Sequence, residues 1–98
     1  VVADYSTIAI VKDRGQILGW ARSERWTDGD GREWDTLEAF VADGHRRRGV
    51  ARLAATALAV EELLGDVAVF HPHMLLVAAA AGLRPTLFTR EGHGWARV

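Results

Sequence analysis

Apolar and polar positions alternate in the first part of the chain, which is the period of a half-buried strand. Residues 5–12, "YSTIAIVK", alternate and are rich in β-branched side chains, so they predict a strand. "DRG" at 13–15 is a turn signal, and residues 16–26 continue as a second strand that completes a hairpin. After the polar, glycine-containing loop 27–33, residues 34–42 predict a third strand.

The third predicted strand has two different faces, because successive side chains of a strand point to opposite sides of a sheet. One face is aliphatic and carries Leu37, Ala39 and Val41. The other face carries Trp34, Thr36, Glu38 and Phe40.

The period changes to that of a helix after the third strand. Residues 49–64 predict an amphipathic helix, whose expected apolar positions are Leu53, Ala57, Val60 and Leu64. Residues 72–81 predict a second helix, with Pro72 suited to its first turn and Gly82 to its C-terminal cap.

Two further strands follow from the remaining apolar runs. Residues 66–70, "DVAVF", are continuously apolar after the aspartate, as in a strand buried on both faces of a sheet. Residues 83–90 form another strand, and 95–98 are placed to pair back as a final short one. The order β-β-β-α-β-α-β(-β) predicts an α/β fold of one domain with a mixed sheet. Strand 66–70 should lie parallel to strand 34–42, because a helix connects them.

Composition narrows the classes of function. The chain has 98 residues, a globular balance of 49% apolar and 26% charged residues, and a formal net charge of -1. A general nucleic-acid binder is usually strongly basic, so a nucleic-acid partner is not favoured. Cysteine is absent, which excludes disulfides and thiolate metal sites and fits a cytoplasmic protein. The apolar run 74–83 is too short to span a bilayer, so no membrane partner is expected.

A basic, glycine-containing stretch, "DGHRRRGVARLAA" at residues 43–55, stands between the third strand and the first helix. The start of a helix offers unpaired backbone N–H groups and a partial positive charge. Gly49 allows close approach to the main chain, so the stretch suits a phosphate group. A solvated basic loop and a nucleic-acid patch are the alternatives.

"RRRGVA", Arg46 to Ala51, matches the pattern Arg/Gln-x-x-Gly-x-Gly/Ala. The pattern and its strand-loop-helix-strand-helix setting resemble motif A of the GNAT superfamily, the acetyl-CoA-dependent N-acetyltransferases. The resemblance covers about residues 5–98. It implies one GNAT-like acyl-CoA-binding domain over 1–98, which transfers acetyl from acetyl-CoA to a primary amine by direct attack and needs no metal.

The resemblance also implies which residues hold acetyl-CoA. Main-chain groups of Ala39, Phe40 and Val41 would pair with the pantetheine arm, and the thioester would lie between strands 34–42 and 66–70. The pyrophosphate and its surroundings would be held by the residues of the motif and its flank, which are Arg46, Arg47, Arg48, Gly49, Val50, Ala51 and Arg52.

Acetyl transfer also needs groups that move protons. Asp35 and Glu38 are the candidates for the base, with ordinary exposed strand carboxylates as the alternative. His71 follows the buried strand and is a candidate proton relay, with a helix-capping or packed histidine as the alternative.

The chain departs from the GNAT pattern at three places. Ala78 stands where many relatives carry a tyrosine acid, Asp43 replaces the usual proline, and the amino-terminal helices are missing. An acyl-CoA-binding protein or subunit without turnover is therefore the second hypothesis, and an arginine-loop nucleic-acid binder is the third. The tryptophans have three interpretations, which are core packing, the cover of surface left open without the amino-terminal helices, and the contact of a homodimer: Trp20, Trp26, Trp34 and Trp95.

Overall fold

The first two strands form a long hairpin. The computed structural model describes residues 6–46 and 48–98 of the chain. β1 (Ser6–Asp13) and β2 (Gln16–Thr27) pair antiparallel. Arg14 and Gly15 join them with φ of 52° and 80°, the backbone of a two-residue hairpin turn that follows the twist of the strands. The predicted hairpin is confirmed, although its first residue, Tyr5, lies outside the described residues.

The single strand predicted over 34–42 is wrong, because two collinear strands occupy it. β3 (Glu33–Thr36) and β4 (Glu38–Val41) both pair antiparallel with β2 in one register. The Thr36 hydroxyl lies between the strands, where it accepts from the Glu24 N–H at 3.1 Å and donates to the Glu24 carbonyl at 3.0 Å. A side chain thus replaces the main-chain ladder at the break.

The remaining strands complete a seven-stranded mixed sheet. β5 (Asp66–Val69) lies parallel to β3, as predicted, and also parallel to β6 (Arg84–Glu91). β7 (Gly94–Arg97) pairs antiparallel with β6, so the final short strand is confirmed. Val67, Ala68 and Val69 are fully buried, as the apolar run predicts. The path through the sheet is β1-β2-β3-β5-β6-β7, with β4 beside β2.

Two helices, α1 (Val50–Glu61) and α2 (His73–Ala80), pack on the sheet, but α1 buries a different stripe from the predicted one. Leu53 and Val60 are 58% and 71% exposed. The buried residues of α1 are Val50, Ala54, Ala55 and Leu58. Both stripes have helical spacing, and the small alanines let the helix lie closer to the sheet. Neither helix, within the described chain, is long and apolar enough to cross a membrane.

Gly19 in β2 makes the close approach of α1 sterically feasible. A Cβ atom at this position would lie 2.6 Å from the Phe40 carbonyl oxygen and 2.7 Å from Val50 Cγ1. The first turn of α1 therefore rests directly on β2 and β4.

The two faces of the sheet have different cores. The helix-covered face has an aliphatic core that includes Ala21, Leu37, Leu58 and Val77. The opposite face has an aromatic cluster formed by Trp34, Phe88, Trp26 and Phe70 around Ala68. The predicted division of residues 34–42 into an aliphatic and an aromatic face is confirmed.

Candidate functional site

One edge of β4 is open, because β4 diverges from β5 after Leu37. The Leu37 N–H donates to the Ala68 carbonyl at 3.0 Å, and the Ala42 N–H donates to Leu18 of β2 at 2.8 Å. Main-chain groups alternate along a strand, so those of Ala39 and Val41 point to the β5 side. No strand of the described chain pairs with β4 on that side. Unpaired strand groups of this kind can accept an extended ligand.

A cavity of about 650 Å³, here named the edge cavity, lies between this open edge and the two helices. β4 contributes Ala39, Phe40 and Val41 to its lining. The connection before α1 and the start of α1 contribute His45, Arg46, Gly49, Val50, Ala51 and Arg52. The wall formed by α2 is mostly apolar and consists of His73, Met74, Leu76, Val77 and Ala80.

The start of α1 presents free backbone donors to the edge cavity. Gly49 is the N-cap with φ of 75°, and no side chain caps the helix. The first bond into the helix is from the Leu53 N–H to the Gly49 carbonyl at 2.9 Å. The preceding N–H groups of Val50, Ala51 and Arg52 have no carbonyl four residues back in the helix to accept from them. This turn therefore favours an anion.

Basic side chains surround the same turn. Arg46 and Arg52 line the edge cavity. The Arg46 guanidinium lies 3.7 Å from Asp43, both side chains being mostly exposed, so this ion pair is weak. Arg48 is exposed and is not part of the lining, and the predicted Arg47 lies outside the described residues.

His45 is a lining residue that sequence analysis did not single out. Its Nδ1 atom is buried and has no hydrogen-bond partner. Buried polar atoms are normally satisfied, so an unpaired one in a cavity wall suits a ligand or a water molecule. Its position directly before the arginine run is the only sequence signal that could have indicated it.

The two carboxylates predicted as bases lie in different surroundings. Asp35 accepts from Arg25 Nη1 at 3.2 Å and does not line the edge cavity. Glu38 is paired with Arg22 across β2 and β4 and is about half exposed. Its side chain lies on the aromatic face of the sheet, so the structure separates the two candidates.

His71, the predicted relay, lies at the start of α2 outside the edge cavity. Its Nδ1 accepts from the His73 N–H at 3.2 Å, and its side chain is exposed. This geometry is the capping arrangement that was the alternative. His73 lines the edge cavity instead and is the one titratable side chain of α2.

Ala78 does not reach the edge cavity. It is fully buried in the aliphatic core between α2 and the sheet. The position where the resemblance implies a tyrosine acid is therefore a packing position in this chain.

A smaller cavity of about 230 Å³, here named the aromatic cavity, opens on the other face of the sheet. Its lining consists of Glu24, Trp26, Thr36, Leu37, Glu38, Phe70 and Trp95. The lining of the aromatic cavity includes Glu38, and that of the edge cavity includes the next residue of β4, Ala39.

Comparisons of the chain with protein-family models, curated protein sequences and solved structures find no match. Over residues 6–46 and 48–98, no group of three or more histidine, aspartate or glutamate side chains is placed to hold a metal ion. The assignment of function therefore rests on the geometry of the two cavities.

Proposed function

We propose that the chain is a GNAT-type acyl-CoA-dependent N-acyltransferase, which transfers acetyl from acetyl-CoA to a primary amine. The observation that carries the proposal is the open edge of β4 beside the uncapped start of α1. One element offers strand-like hydrogen bonds and the other offers an anion site. Coenzyme A needs both, because its pantetheine arm carries amide groups and its pyrophosphate is an anion.

The phosphate end of the coenzyme would lie at the start of α1. The N–H groups of Val50, Ala51 and Arg52 would donate to the pyrophosphate oxygens. The guanidinium groups of Arg46 and Arg52 add charge-assisted hydrogen bonds. Main-chain N–H groups are the principal donors of this site. Position 49 requires glycine because its φ is left-handed, and not because space is limited, since the space around it is open.

The pantetheine arm would pair with β4 as an added strand. Ala39 and Val41 direct their main-chain groups to the open side. Phe40 is in register with Trp20 on β2, so its main-chain groups are directed to that partner. Two of the three β4 residues implied by the GNAT resemblance would therefore make these hydrogen bonds.

The reaction would take place where β4 leaves β5. The neutral amine attacks the thioester carbonyl carbon, and the carbon–sulfur bond breaks so that the sulfur leaves as a thiolate. The proton that the nitrogen loses as the amide forms balances the proton that the thiolate takes up. Glu38 would accept the proton that the ammonium form must lose, and the Ala39 N–H would donate to the developing oxyanion. His73 is the candidate donor to the thiolate, because it lines the edge cavity from α2.

An acyl-CoA-binding protein without turnover is the second candidate. Ala78 favours it, because alanine stands where the GNAT resemblance implies a tyrosine acid. The two candidates share the coenzyme site and differ only in catalysis.

Thermal unfolding with acetyl-CoA tests the coenzyme site. At ~100 times its Kd, a ligand of the folded state raises the Tm of a domain this size by roughly 10 °C or more. Gly49→Glu should abolish this shift, since it puts a carboxylate at the anion site. Gly31→Glu is the matched control, because Gly31 has φ of 83° and open space around it, and lies in the loop between β2 and β3. No shift with the unchanged chain contradicts the proposal, as does an equal shift in both variants.

Release of free thiol with a panel of primary amines tests turnover. Acetyl-dependent release above the rate without amine supports the transferase. A thermal shift with acetyl-CoA but no release on the whole panel supports the second candidate.

A further inference from the structure

We propose that the aromatic cavity binds a compact alkylammonium group, which is the acyl acceptor, presented by a free amine or by a lysine side chain. The role as acceptor rests on the proposed function. The binding of the cation stands on its own.

Three aromatic rings form a fixed wall of the aromatic cavity. Phe70 meets Trp26 edge-on with the ring centroids 5.0 Å apart, and its centroid lies 4.8 Å from that of Trp95. Trp26 also packs edge-on against Phe88 at 4.9 Å, and Phe88 is buried. Aromatic faces carry partial negative charge and attract organic cations.

The charges of the lining have one sign. Glu24 and Glu38 line the aromatic cavity, which has no basic side chain among its lining residues. Arg22 lies beside both carboxylates, 3.8 Å from Glu24 and in closer contact with Glu38. Outside the lining, the Arg90 guanidinium also lies 5.4 Å from the centre of the Trp95 ring. The charged groups that line the cavity itself are the two carboxylates, so a cation is favoured over an anionic acceptor.

The size and the hydrogen bonds of the cavity narrow the ligand further. Its volume of about 230 Å³ is below the ~300–1,000 Å³ of sites for drug-sized ligands, so the bound group is compact. The Thr36 hydroxyl both donates to and accepts from the Glu24 main chain. The polar side-chain groups left in the lining are the two carboxylates and the indole N–H groups of Trp26 and Trp95. The acceptors among them are the carboxylates, which favours an ammonium with an alkyl chain as the ligand.

The position of the cavity fits an acceptor. Its lining ends at Glu38, one residue before the lining of the edge cavity begins at Ala39. An ammonium at Glu38 would therefore lie next to the divergence of β4 and β5, where the thioester is proposed to be.

Nuclear magnetic resonance without acetyl-CoA tests cation binding, using the indole N–H signals of the tryptophans. n-Butylammonium should shift the signals of Trp26 and Trp95 in a saturable way. Trp34 is the internal reference, since its indole N–H donates to Asp28 at 2.9 Å and it does not line the cavity. Butanol and butyrate are the neutral and anionic controls. Absence of saturable shifts, or equal affinity for butanol, overturns the proposal.

Two carboxylate variants link the cation to catalysis. Glu24→Gln/Glu38→Gln should weaken n-butylammonium binding at least 10-fold and abolish its acetylation, while the thermal shift with acetyl-CoA remains. Glu91→Gln, an exposed carboxylate of β6, is the matched control and should change neither. Unchanged affinity in the double variant overturns the proposal. If the unchanged chain shows no thermal shift with acetyl-CoA, the proposed function is refuted, but the binding of n-butylammonium can still be measured.

A second ligand, Nα-acetyl-lysine methylamide, distinguishes a lysine side chain from a free amine as the source of the alkylammonium group. Tighter binding and faster acetylation of this compound than of n-butylamine indicate a lysine side chain. The reverse order indicates a free amine. Failure of both compounds to bind overturns the proposal.

Discussion

At the scale of single residues, the proposed site depends on the start of α1 and on the two histidines of the edge cavity. Gly49 was predicted to let a ligand approach the backbone. In the structure it is the N-cap residue of α1 with a left-handed φ, and no side chain caps that helix. A glycine in a basic stretch before a helix is a local signal. His45 and His73 were missed, because α1, α2 and β4 bring them to one cavity only in the folded chain.

His73 should contribute to turnover and not to coenzyme affinity. Removal of a proton donor costs typically 10²–10⁴-fold in rate, so His73→Ala should lower kcat by about 100-fold or more. The Kd for acetyl-CoA, measured by calorimetry, should stay within about 2-fold, since the phosphate donors lie on α1. His93→Ala, in the exposed turn between β6 and β7, is the control. Equal kcat in both variants would exclude His73 as the donor.

At the scale of elements, α1 shows where periodicity fails as a predictor. Leu53, Ala57 and Val60 have helical spacing and were predicted to face the core, but they face solvent. Ala54 and Ala55 belong to the other stripe of the helix, which also has helical spacing, and they are buried. Hydropathy ranks leucine above alanine. Packing reverses that order in α1, because the stripe that contains small alanine side chains lets the helix lie close to Gly19 of β2.

The two stripes of α1 should respond differently to truncation. Leu58 is 1% exposed, so Leu58→Ala should lower the free energy of unfolding by about 2–5 kcal/mol. Leu53→Ala should change it by less than about 0.5 kcal/mol, because Leu53 is 58% exposed. Urea denaturation measures both. Similar losses in the two variants would mean that α1 is rotated about its axis.

Gly19 should matter for both stability and coenzyme binding. Gly19→Ala places a methyl group against the Phe40 carbonyl and Val50, so it should cost about 1–3 kcal/mol in the free energy of unfolding. It should also weaken acetyl-CoA binding, because it displaces the start of α1 from β4. Gly94→Ala is the control, since a Cβ there meets open space. Equal acetyl-CoA affinity in the two variants would contradict the link.

The start of the parallel pair β5 and β6 should respond to acid. Arg84 donates to Asp66 at 2.8 Å, and this hydrogen bond lowers the pKa of the Asp66 carboxyl below its ordinary 3.8. A carboxyl with a lowered pKa stabilises the fold above its ordinary pKa and loses that contribution as the pH falls through the lowered value.

Asp66→Asn should therefore lower Tm at pH 7, and the difference from the unchanged chain should shrink below about pH 3.8. Thermal unfolding over a pH series measures it. A difference that is constant with pH would show that the charge of Asp66 does not contribute.

At the scale of the whole molecule, the order of elements and the mixed sheet were predicted from the sequence, whereas the aromatic cavity was not. Alternation, turn residues and the helical period are local, so they predicted the strands and their crossover. The break at Leu37 depends on the Thr36 hydroxyl bonding to Glu24 twelve residues away. The aromatic cavity depends on β2, β3, β4 and β7 together with Phe70, which follows β5, and no local pattern indicates it.

Both cavities are lined in part by residues of β4. The edge cavity lies on the helix-covered face and the aromatic cavity on the other, and their linings include the neighbouring residues Ala39 and Glu38 of β4. Two substrates would approach this point from opposite sides of one sheet.

The most direct test of the central claim is a backbone amide titration of the chain with acetyl-CoA by nuclear magnetic resonance. We expect the largest saturable shifts at the N–H groups of Ala39 and Val41 on β4 and of Val50 and Ala51 on α1, with β1 unaffected. Saturable shifts at these amides would support a coenzyme that joins the open strand edge to the helix start. Absence of shifts at these amides, or shifts confined to the aromatic face, would contradict it.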